Sequence, residues 1–161
     1  MHSIKECLAI AETVYLLNGD CHLRECASKL KKQVTGPFLS LVASSVKFGL
    51  ITHSKKQLRS TETLNHWMAS KSEAEKYQLL KKILSTQAFL KEFVTESSED
   101  DLKNLIENKD LDKELVRDQN LPLKTAKTLS KVIKESFGYL LSLSEASEHS
   151  TARPKHTHPT P

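Results

Sequence analysis

A chain of 161 residues, 38% hydrophobic and 27% charged, has the composition of one ordinary globular domain, or of a small module with an extension. Only four glycines and five prolines, three of the latter within the last eight residues, exclude a turn-rich all-β fold and favour helices. The formal net charge is +4, and no apolar run approaches the ~18–20 residues that a membrane-spanning helix requires.

The first twenty residues carry Glu6 and Glu12 inside a helical pattern, where a secretory leader would carry a basic region and a small-residue cleavage site; a cytoplasmic protein is expected. Ile4, Cys7, Leu8, Ala11, Val14 and Tyr15 recur at helical spacing and predict a helix over Ser3–Leu17, with Ser3 and Glu6 as a capping box. Cys21 and His22 follow as a short extended link. A second helix is predicted over Leu23–Lys32, burying Leu23, Cys26, Ala27 and Leu30. After a turn at Gln33–Gly36, Pro37 suits the first turn of a third helix, which buries Phe38, Leu41, Val42 and Val46 and stops at Gly49. The segments "LITHS" and "QLRST" then read as two strands around Lys55 and Lys56, with Leu50 and Leu58 pointing inward.

Two helices joined by a tight turn and followed by a hairpin predict a mainly α fold: a winged helix-turn-helix with a small β-hairpin wing over residues 1–70. The remainder predicts a helical extension over 71–144, packing on that domain or forming a homodimer. Its helices are expected at 72–84, 87–95, 98–108, 111–117 and 123–142, with Gly138 bending or ending the last. Residues 145–161 lack apolar periodicity and predict a disordered tail, in which His149, His156 and His158 are solvated. The odd cysteine count points to reduced thiols; Cys21, His22 and Cys26 lack a second ligand pair at zinc spacing, so no metal or cofactor is expected.

Particular motifs strengthen this reading. Ala27, the opening Thr35-Gly36-Pro37-Phe38, the stop Phe48-Gly49-Leu50-Ile51 and the cap Ser60-Thr61-Glu62-Thr63-Leu64 resemble prokaryotic winged-helix families. The later segments "LLKKILSTQAFLKEF" and "LPLKTAKTLSKVIKESFGYL" resemble an uncharacterised prokaryotic family with a C-terminal helical extension. The resemblance spans about residues 3–143. It implies DNA binding and brings no catalytic residues.

Charge locates the candidate site. Residues 21–60 hold eight basic side chains against Glu25 alone, and the rest of the chain is slightly acidic. Such a segment attracts phosphate by Coulomb steering and counterion release. Lys29, Lys31 and Lys32 on the second helix, with Lys55, Lys56 and Arg59 on the wing, are expected on phosphates. Thr35, Ser40, Ser44 and Lys47 are expected to approach the groove. A helix presenting serines rather than Arg, Asn or Gln discriminates bases weakly, so limited specificity follows.

No Gly-rich phosphate loop, nucleophile elbow or HExxH is present, and Glu99, Asp100 and Asp101 suit a helix start; no enzyme is expected. The expected function is that of a DNA-binding transcriptional regulator or accessory protein. The alternative is a protein-interaction module whose winged helix does not bind DNA.

Overall fold

A computed structural model describes residues 2–96 and 98–156 as a mainly helical fold with one small three-stranded antiparallel sheet. The first part runs α1 (Ile4–Leu16), β1 (Asp20–His22), α2 (Leu23–Lys29), α3 (Gly36–Lys47), β2 (Ile51–Ser54), β3 (Gln57–Ser60) and α4 (Glu62–Ala69). The helical remainder is α5 (Glu73–Leu84), α6 (Ala88–Glu96), α7 (Glu99–Glu107), α8 (Leu111–Gln119) and α9 (Leu123–His156). Among the described residues no helix is long and apolar enough to cross a membrane.

Local chemistry sets the boundaries. Ser3 and Glu6 form the expected capping box on α1: the Glu6 N–H donates to Ser3 Oγ (3.4 Å) and the Ser3 N–H to Glu6 Oε2 (3.2 Å). At α2 the same reciprocal pattern uses His22, whose Nδ1 accepts from the Arg24 N–H (3.0 Å) while its own N–H donates to Glu25 Oε1 (3.2 Å). Thr61 joins the sheet to α4: its hydroxyl lies 2.6 Å from the Gly49 carbonyl and 3.0 Å from that of Leu50, and accepts from the Leu64 N–H (3.3 Å).

Gly49 follows α3 at φ +75°, and a Cβ there would meet nothing within 4 Å. Its role is therefore purely conformational. Gly49→Ala should cost about 1–2 kcal/mol, the left-handed penalty for an L side chain, read as a lower urea midpoint with an unchanged slope.

The sheet has the order β1-β3-β2. Cys21 pairs with Leu58 across β1 and β3, and His53 pairs with Leu58 across β3 and β2. The expected extended link at Cys21 and His22 is thus a true strand. Between β2 and β3 the chain turns in two residues, Lys55 at φ +50° and Lys56 at φ +66°.

One apolar core runs through both parts of the chain. Ile4, Ile10 and Val14 of α1 share it with Val42 of α3, Leu64 and Trp67 of α4, and Ile133, Phe137 and Leu140 of α9. Trp67 is 1% exposed, its Nε1 donates to Glu12 Oε1 (3.2 Å), and its ring meets Tyr139 edge-on at 6.3 Å. Tyr15, expected in the core, is 38% exposed, whereas Ile10, outside the expected stripe, is fully buried.

Two further expectations are corrected. The helix runs through Gly138 without ending. It also continues over 145–156, where a disordered tail is expected; residues 157–161, with His158, lie outside the described residues. Apolar periodicity reports packing and not helicity. Glu145 and Ala146, both good helix formers, carry α9 past its buried half at little cost.

Candidate nucleic-acid interface

The site is built on α2, α3 and the β2–β3 turn. The Leu23 N–H donates to the Lys56 carbonyl (2.8 Å), which fastens the turn against the start of α2, where Arg24 is exposed. Lys29 ends the same helix, seven residues or about 10 Å along it, and Lys31 and Lys32, expected within it, follow in the turn beyond. Lys31 itself stands at φ +57°, while the Lys32 N–H returns to the Ala27 carbonyl (2.8 Å) to close the helix.

Arg24, Lys29, Lys31, Lys32, Lys47, Lys55 and Lys56 are all exposed, and none makes an ion pair within 4.0 Å among the described residues. Arg59 differs. Its Nε lies 3.6 Å from Asp20 Oδ1, which also accepts from Gln57 Nε2 at 2.6 Å, so this cation is partly neutralised across the sheet. Arg24 was not among the residues expected at the site. Its place beside the turn depends on β1–β3 pairing, which no local spacing encodes.

The outer face of α3 requires a correction. Ser44 is only 4% exposed, and its Oγ accepts from the His2 N–H (3.3 Å), so it cannot approach a groove. Val46, expected in the core, is 37% exposed. The cause is the way α3 seats on α1: Ser45 is fully buried and donates to the Cys7 carbonyl at 2.7 Å, which centres the inner arc on Phe38, Leu41, Val42 and Ser45. Ser44 falls inside that arc and Val46 outside it.

Ser40 is exposed, with its Oγ 3.2 Å from His2 Nε2. Thr35 is exposed at the N-cap of α3 and makes no side-chain cap hydrogen bond, leaving its hydroxyl to solvent. Lys47 ends the helix, its carbonyl accepting from Gln87 Nε2 (2.6 Å). The resulting outward set is Leu39, Ser40, Ala43, Val46 and Lys47.

The thiols beneath this surface are quiet. Burial pushes Cys7 and Cys26 up to about 12 and raises Cys21, so all three stay protonated near neutrality. His22 is engaged in capping α2.

A scan against protein-family models, a search of curated proteins and a search of solved structures found no match to this chain.

Proposed function

We propose that this protein is a winged helix-turn-helix that binds duplex DNA chiefly through its phosphates, acting in the cytoplasm as a regulator or accessory protein of limited sequence specificity. Three strands and four helices in the order α1-β1-α2-α3-β2-β3-α4 support the fold reading. In it α3 is the recognition helix and β2–β3 the wing.

The observation that carries the proposal is the conformation of three lysines. Among the described residues, Asn18, Lys31, Lys55, Lys56 and Asn120 are the non-glycine residues at positive φ. Asn tolerates that region; lysine gains nothing there, and each costs about 1–2 kcal/mol. A two-residue hairpin turn with positive φ at both positions favours Asn-Gly, yet this one carries Lys-Lys. Strain held in exposed, unpaired cations supports a use for the charge itself.

The test is fluorescence anisotropy of the full chain with a labelled mixed-sequence duplex. With five to seven cations on phosphates, the slope of log K against log salt is about −5 to −6, and affinity falls about 10³-fold between about 50 and 200 mM salt. Absence of binding at the lower salt would overturn the proposal. It would then favour the second reading, a protein-interaction module, which the exposed Leu39, Ala43 and Val46 support.

A further inference from the structure

Phosphate contacts hold a protein on DNA without reading its sequence, and the outward face of α3 offers little of the usual reading chemistry. Gly36, Leu39, Ser40, Ala43, Val46 and Lys47 make up that face, with no Arg, Asn or Gln among them. What it does present is an apolar stripe: Leu39, Ala43 and Val46 recur at i, i+4 and i+7, Leu39 is 41% exposed and Val46 37%. Each of the two therefore leaves about two-fifths of its surface open to solvent.

The stripe lies between the cations. Lys47 ends the same helix, and Lys31 and Lys32 precede its opening turn. An occupant must therefore be polyanionic at its margins and apolar at its centre. The major groove of DNA meets both demands at one place only, the C5-methyl group of thymine, which is the single apolar feature on the base edges there.

Resting on the DNA-binding reading above, we propose that Leu39, Ala43 and Val46 read thymine methyl groups, so that the protein prefers short A·T-rich runs. The length agrees: seven residues of helix rise about 10 Å, the span of about three base steps at 3.4 Å. Ser40 and Lys47, on the same face, are left for neighbouring polar edges or phosphates.

The experiment replaces only the methyl groups. Anisotropy is measured at about 50 mM salt with the full chain and two duplexes of one A·T-rich sequence, one with thymine and one with deoxyuridine throughout. Removing a buried methyl weakens binding about fourfold, so losing two or three contacts should weaken it by roughly tenfold or more. A G·C-rich duplex carrying 5-methylcytosine, which restores a methyl at the same ring position, should bind more tightly than its unmethylated counterpart.

Leu39→Ser removes the largest group of the stripe at an exposed position and should shrink the thymine-over-deoxyuridine ratio towards one while preserving the salt slope. Equal binding of the thymine and deoxyuridine duplexes with a steep salt slope would overturn methyl reading and leave phosphate binding intact. A ratio unchanged by Leu39→Ser would assign the preference to duplex stiffness and also overturn it. Failure of every duplex to bind would remove both proposals together.

Discussion

The double variant Lys55→Asn/Lys56→Gly should unfold at a higher temperature than the parent and bind DNA more weakly. The two lysines form the whole β2–β3 turn at φ +50° and +66°. Asn-Gly is the sequence such a turn prefers, and the exchange relieves left-handed strain while adding some unfolded-state freedom at the glycine. The net gain should be about 1 kcal/mol, or roughly 2–4 °C in Tm for a chain of this size. Two lost phosphate contacts should flatten the salt slope by about 1.8 and weaken binding at about 50 mM salt by one to two orders of magnitude. Lys103→Asn, on the exposed side of α7, serves as the control and should leave both measurements unchanged. Calorimetry and anisotropy on the same preparations decide the matter; a stabilised variant that binds as well as the parent would show that the strained lysines do not hold DNA.

Trp67→Ala should be the most damaging single substitution in the core, at about 3–5 kcal/mol. Domains of this size have about 5–15 kcal/mol of stability in total, so the loss is a large share. Trp67 stands where α1, α4, α5 and α9 meet: beyond the Glu12 hydrogen bond and the Tyr139 ring, Lys76 Nζ lies 5.5 Å from its ring centroid. Trp67→Phe keeps most of the volume and gives up chiefly the indole N–H, which should cost about 1–2 kcal/mol. Because the chain has a single tryptophan, both variants are followed by far-UV circular dichroism during urea unfolding. A loss below about 1.5 kcal/mol for Trp67→Ala would mean that the junction collapses around the gap and is not held by this side chain.

The features legible in the sequence were those encoded within a few residues. Ser3 and Glu6, Gly49, Thr61 and the two strands around Lys55 and Lys56 each act through neighbours three to twelve positions away, and each falls where local chemistry puts it. What escaped depended on distant partners. β1 is three residues long and exists because Cys21 and Leu58 pair from 37 positions apart. Helical arithmetic put Ser40, Ser44 and Lys47 on one face, but the phase of α3 is fixed by its seat on α1. A serine is small enough, and sufficiently satisfied by the His2 N–H, to be buried there. His22 as a helix cap was likewise unreadable, since ring nitrogens are not among the usual capping groups.

The hydrogen bond from the Ile4 N–H to Ser136 Oγ (3.2 Å, buried) joins residues 132 positions apart. α1 is the element on which α3 is seated, and α9 is the element on which α1 is seated. A ribosome delivers these in the reverse order of need: the cationic segment emerges before the helix that steadies its support. Domains commonly fold as they emerge, amino-terminal portion first, but here that portion has no completed floor until α9 has cleared the exit tunnel. The surface facing the proposed ligand is therefore completed only after α9 has emerged, in one late and long-range step.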